Sequence, residues 1–231
     1  MKKGIIIACV ALLATAFHNL AWSQNKEIQG TQLYKHYQMK YVFGMKYNDS
    51  EVAKNALYSM IAMDPGDDSL KMVLCYYYYE RNQFASSLFV SADLLSRRPD
   101  NVDALRINAM SFENMGVKDK AISAYESLYL QTNDIVVLYQ VALLQFEAER
   151  YNECKTNVGV ILKDPQSNEL KLTFSKSDNE QQEIALAAAC HNMMGMLAKQ
   201  QGNMEEAKIQ LQKALELEPE FVLANQNLSE L

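Results

Sequence analysis

Tryptophan, histidine, cysteine and proline are all scarce in this chain, and the first three scarcities each close off a class of function. Of 231 residues, one is Trp, three are His, four are Cys and four are Pro. The tryptophan, Trp22, sits at the edge of an N-terminal apolar segment, so the remainder has no indole to stack on sugar rings. Beyond His18 only His36 and His191 remain, and two separated histidines with scattered cysteines have no metal-ligand spacing. No phosphate-cradling glycine loop and no Ser/His/Asp arrangement is present. The acid pairs Asp67-Asp68 and Glu205-Glu206 fall at helix starts, where carboxylates complement the helix dipole. Asp64–Asp68 carries three acids but lacks the ligand spacing and closing glutamate of an EF-hand. No catalytic residue, metal site or cofactor is expected.

Clustered positive charge is also missing. The formal net charge is −6, and with Lys2 and Lys3 set aside from the 22 Lys and Arg, 20 remain against 28 Asp and Glu. Affinity for nucleic acid rests on neutralising phosphates with Lys and Arg, so that balance excludes nucleic acid as a partner. The same balance argues against anionic membrane surfaces.

What is present begins with a short basic start, Met1-Lys2-Lys3, followed by the apolar-to-small run Gly4–Phe17. Ala21-Trp22-Ser23 then offers a small-x-small cleavage site before Gln24, which reads as a signal peptide over 1–23. The run is too short to span a bilayer and is closed by His18-Asn19, so no transmembrane segment is expected after cleavage. Cys9 follows a lipobox-like string but lies too early in the run for a lipoprotein. The expected location is outside the cytoplasm, in the periplasm or associated with the cell envelope. Cys75, Cys154 and Cys190 are then odd in number and widely spaced, which suits buried small residues better than disulfides.

After a loose lead-in over 24–33, the chain acquires a period of 34. Pro65 and Pro99 are 34 apart; Ala53, Ser87 and Ala121 keep the same step, and Asn133 stands where the next proline would fall. Each interval holds two amphipathic stretches separated by a break. In the first, Tyr34, Tyr37, Tyr41 and Val42 form one stripe, Asn48-Asp49-Ser50 breaks it, and Ala53, Leu57 and Met60 continue it. Units are expected over about 34–67, 68–101, 102–135, 135–166 and 188–221, the fourth with its register open by one residue. Small residues at the crossings let helix backbones approach, and larger ones such as Leu57, Tyr78, Phe112, Tyr125 and Leu211 fill between them.

The segment Ala188–Glu220 states the pattern most fully. It places Gly195, Gly202, Ala207, Ala214 and Pro219 where tetratricopeptide repeats carry their signature residues. The chain resembles a tetratricopeptide repeat protein of the exported bacterial type over nearly all of its mature length. The resemblance implies an all-α, right-handed superhelical solenoid of about five helix-turn-helix units over 34–231, closed by a capping helix over 220–231. It also implies a non-catalytic scaffold whose concave face, lined by the first helix of each unit, holds a peptide or protein segment.

On those first helices, residues facing away from the packed stripe form the candidate groove. They are Gln38, Val42 and Met45, then Met72, Tyr76 and Tyr79, then Arg106, Met110 and Glu113. The fourth unit adds Tyr139, Leu143 and Phe146, and the fifth Asn192, Met196 and Lys199. The set is rich in methionine and aromatic groups, which suits an apolar or aromatic peptide; the same residues could equally complete the core between units. In the run Tyr76-Tyr77-Tyr78-Tyr79 successive side chains point about 100° apart, so not all can be core. If Leu74 and Tyr78 face inward, Tyr76 and Tyr79 share the groove face. The carboxylate clamp that some relatives use on acidic C-termini is missing, since Gln38, Val42, Val73, Asp103 and Ile107 stand at those places.

The period breaks once. Pro165 and Pro219 are 54 apart, which leaves about 20 extra residues before the fifth unit. In this insertion, over 166–183, Leu170, Leu172 and Phe174 alternate with polar residues as in a strand; the segment reads either as a hairpin or as a disordered loop. Three functions remain compatible: an envelope adaptor that binds a protein partner, a glycan-binding component of an outer-membrane system, and a self-associating structural subunit.

Overall fold

The computed structural model describes residues 30–177 and 180–231; the expected signal peptide and most of the lead-in lie outside the described residues. The chain divides into two units, residues 1–77 and 78–231.

In the first unit, helix α1 covers 30–46 and α2 covers Ser50–Met63. Helix α1 is already formed at residue 30, four residues ahead of the expected Tyr34, so the described end of the lead-in is helical. Gly44 packs where a Cβ would lie 2.6 Å from the Ala53 nitrogen, a spacing only glycine permits. Asn48 turns the chain with φ 57°, and the Asp49 carboxylate accepts from the Val52 N–H at 3.1 Å to cap α2. Ala53, Ala56, Leu57 and Met60 form the buried stripe of α2. Helix α3, Asp68–Tyr79, starts where Asp67 accepts from the Ser69 N–H at 2.8 Å and from its hydroxyl at 2.5 Å.

The tyrosine run differs from expectation. Leu74, Cys75 and Tyr77 are the buried residues of α3, and Tyr78 is only half-buried. A buried phenol needs a partner for its hydroxyl. Tyr77, the one that enters the core, has such a partner: it donates to the Ser50 carbonyl at 2.8 Å.

The second unit continues the alternation with α4 (Phe84–Arg97), α5 (Val102–Asn114), α6 (Lys118–Thr132), α7 (Ile135–Glu147) and α8 (Tyr151–Ile161). A 3-10 turn over Pro165–Asn168 leads into strands β1 (Lys171–Ser177) and β2 (Glu180–Ala185). Helices α9 (Leu186–Gln200), α10 (Met204–Leu217) and α11 (Val222–Ser229) complete it. The insertion is therefore an antiparallel hairpin, with Leu172 opposite Ile184 and Phe174 opposite Gln182, and its second strand runs two residues past 183.

The repeat is visible in the backbone itself. The turn between the two helices of a unit is left-handed at Asn48, Asn82, Gly116, Glu149 and Gly202. The step is 34 between the first three and 33 from Gly116 to Glu149, so the register of the fourth unit is one residue short. Ala53, Ser87, Ala121, Cys154 and Ala207 occupy one equivalent site per repeat, and each is fully buried. Cys75, Ala109, Ala142 and Gly195 occupy another buried small-residue site. The cysteines thus serve as small core residues: all three are free and buried, and burial pushes the thiols of Cys154 and Cys190 up to about 12.

Candidate functional site

Helices α7 and α9, the first helices of the fourth and fifth repeats, run along a pocket of about 430 Å³. Tyr139, Leu143 and Phe146 come from α7, and Asn192 and Met196 from α9. Strand β1 adds Leu172, Thr173 and Phe174, and α11 adds Leu223 and Asn227. The hairpin is held over this place by three contacts. Phe174 packs edge-on against Phe221 at 5.0 Å between ring centroids. The Ala185 N–H donates to Glu218 Oε1 at 3.1 Å. Gln182, with its amide turned so that both groups pair, donates to the Glu220 carbonyl at 2.9 Å and accepts from the Val222 N–H at 3.2 Å.

The lining is mostly apolar, with one polar device. Asn227 Nδ2 donates to Asn192 Oδ1 at 2.8 Å, and both residues are more than nine-tenths buried. That bond leaves Asn192 Nδ2 and Asn227 Oδ1 as a donor and an acceptor beside the pocket. Such a pair orients an amide group and contributes little on its own to affinity.

A second pocket of about 480 Å³ adjoins the first and shares Val136 and Gln140 with it. Tyr79, Arg106, Met110 and Glu113 line it. Glu113 is fully engaged: Tyr125 donates to Oε2 at 2.5 Å and Gln140 Nε2 to Oε1 at 2.6 Å. Burial, reinforced by the Glu113 carboxylate, raises the Tyr125 phenol well above its ordinary range, so it stays a donor. Tyr79 stacks edge-on with Phe84 at 5.4 Å, and its hydroxyl accepts from Asn114 Nδ2 at 3.1 Å. Arg106 is half-buried and has no ion pair or hydrogen bond among the described residues.

The structure therefore gathers nine of the expected groove residues into two adjoining pockets of the second unit. Tyr139 is at once core, at 8% exposure, and lining. Lys199 stands apart, paired with Glu230 at 3.3 Å. Gln38, Val42, Met45, Met72 and Tyr76 belong to the first unit, where Met72 is half-buried and the other four are exposed. Reasoning from first helices alone missed Leu172 and Phe174 on the hairpin and Leu223 and Asn227 on the last helix. The alternation within the insertion was the available signal for the first two; the Asn192–Asn227 pair spans 35 residues and has no local signature.

His191 bonds Gln210 through Nδ1 at 2.8 Å, a contact between α9 and α10. Among the described residues no three His, Cys, Asp or Glu side chains are placed to hold a metal, and no helix is long and apolar enough to cross a membrane.

Residues 188–221 match the tetratricopeptide repeat family. No curated protein matches the chain. Among solved structures, it is similar to a tetratricopeptide repeat protein from Parabacteroides merdae ATCC 43184. That match has 18% identity and a TM-score of 0.63, over 86% of this chain and 72% of the other. It is similar at 13% identity and a TM-score of 0.63 to YrrB, described as a TPR protein with an unusual peptide-binding site, over 84% of this chain and 91% of that one. MamA from Desulfovibrio magneticus RS-1 aligns at 14% identity and a TM-score of 0.59, over 82% and 97% of the two chains. The fifth unit thus matches the tetratricopeptide repeat family, and the fold as a whole is similar to that of solved tetratricopeptide repeat proteins.

Proposed function

We propose that this protein is a non-catalytic adaptor of the cell envelope that holds a peptide or protein segment in the groove along α5, α7 and α9. The observation that carries the proposal is the pair of adjoining pockets, one apolar and roofed by the hairpin, the other polar and lined by Arg106 together with Glu113 and Asp134. A peptide-binding site in the similar YrrB fold supports the same use of the architecture here. Export rests on the basic start, the apolar run and the cleavage site at the N-terminus.

Leu143 and Met196 face one pocket from two different helices, so a carboxylate at each place would make it inhospitable to an apolar side chain. The double variant Leu143→Glu, Met196→Glu is expected to lose its partner in pull-downs from envelope extract while keeping its helical circular dichroism. Undiminished capture by the folded double variant would refute the groove.

A further inference from the structure

The hairpin is an unfinished sheet. On its outer edge β2 is tied down at one end, where Glu218 takes the Ala185 N–H. The edge on β1 is open. Leu186 donates to the Leu170 carbonyl at 2.8 Å, which makes Lys171–Ala185 a pair whose own N–H and C=O groups point away from the partner strand. By alternation the same holds for Thr173–Glu183 and Ser175–Gln181. The outward backbone groups of Lys171, Thr173 and Ser175 have no partner among the described residues. Leu172, Thr173 and Phe174 all line the apolar pocket although Thr173 lies on the opposite sheet face from the other two, so the pocket abuts the strand's edge.

We infer that the partner binds as a third strand of this sheet: an extended, acidic peptide segment pairs with the open edge of β1 and drops a bulky apolar side chain into the adjoining pocket. The inference rests on the proposed use of the groove and adds the mode of binding and the chemistry of the segment. Backbone pairing supplies affinity in such complexes, and alternate side chains supply specificity. Charge selects the sign. Strand β1 carries Lys171 and Lys176 and no acid, and neither lysine has an ion pair among the described residues; the nearby Glu183 carboxylate on β2 is held by the Thr173 hydroxyl at 2.7 Å.

The test uses a fluorescein-labelled short synthetic peptide alternating phenylalanine or valine with aspartate or glutamate, titrated with the full chain by fluorescence anisotropy. Two further peptides carry backbone N-methyl groups on one or the other alternate set of residues, and a fourth has lysine in place of the acids. An added strand predicts that one N-methyl set weakens binding about tenfold or more and the other is tolerated, since only one set faces β1. It predicts slowed hydrogen exchange at the Thr173 and Ser175 amides on binding, and weaker binding of the lysine peptide. Thr173→Pro, which removes an outward N–H and leaves the ladder to β2 intact, should weaken binding similarly. Binding that Met196→Glu abolishes but that ignores both N-methyl sets and leaves exchange unchanged would overturn the added strand and leave the groove standing. Binding indifferent to Met196→Glu would overturn the groove as well. Failure of the acidic peptide to bind, or equal binding of the lysine peptide, would overturn the assigned chemistry.

Discussion

Phe174, on the first strand of the hairpin, meets Phe221, the residue that opens the last helix, edge to face at 5.0 Å. Phe221 is fully buried and Phe174 half-buried. The insertion is thus anchored to the C-terminal cap of the array, and this aromatic contact joins the Ala185–Glu218 and Gln182 hydrogen bonds in holding the wall of the apolar pocket. Phe174→Ala is expected to cost about 2 kcal/mol, less than a full core truncation because the ring is partly exposed. Urea denaturation checks the cost, and the Ala185 amide should lose exchange protection as the strand loosens.

Gly195 and Gly44 both sit at crossings too close for a side chain. A Cβ at Gly195 would lie 2.7 Å from Leu211 Cγ, and one at Gly44 would lie 2.6 Å from the Ala53 backbone. Leu211 has a rotamer to give, whereas backbone does not. Gly44→Ala is therefore the more damaging change, and each is expected to lower stability by about 1–3 kcal/mol. Thermal melts of the two variants decide the order.

Glu149 holds φ 60° at a turn where the equivalent residues are asparagine or glycine. A left-handed conformation disfavours most L-residues, and Glu149 is exposed. Glu149→Gly should raise stability by about 1 kcal/mol, read as a higher urea midpoint at unchanged slope.

The Asp67 carboxyl is held below its ordinary value of 3.8, chiefly by the Ser69 hydroxyl, with the Leu70 and Ser69 N–H groups adding to it. A lowered folded value means that the cap stabilises α3 above pH 3.8 and loses this contribution as pH falls through the lower folded value. Ser69→Ala should move the carboxyl back up toward 3.8, which an NMR titration of Asp67 would read directly.

With thiols raised to about 12, Cys154 and Cys190 are expected to resist alkylation at pH 8 in the folded protein and to react fully in guanidinium. Labelling of either in the native state at the rate of a free thiol would contradict their place in the core.

Much of the fold could be read from spacing alone, because each unit repeats a steric requirement. Ala53, Ser87 and Ala121 announce the crossings, and Cys154 and Ala207 prove to fill the same place in later units. Pro65 and Pro99 announce the ends of pairs. What spacing did not carry was orientation within a run of like residues. Tyr77 enters the core, where a carbonyl at Ser50, distant in sequence, accepts its hydroxyl. The groove was legible only on the helices that repeat. Its hairpin wall and the Asn192–Asn227 pair come from the insertion and the cap, which follow no period and are placed by tertiary contacts such as Phe174 on Phe221.

The central claim, that the groove beside the hairpin holds a protein segment, is tested most directly by photocrosslinking in the native envelope. A benzophenone amino acid replacing Met196 lies in the pocket, and one replacing Leu130, which is 74% exposed on α6, lies outside both pockets. The account predicts a discrete crosslinked protein partner from the Met196 position and none from Leu130. Equal crosslinking from both positions, or from Leu130 alone, would contradict it.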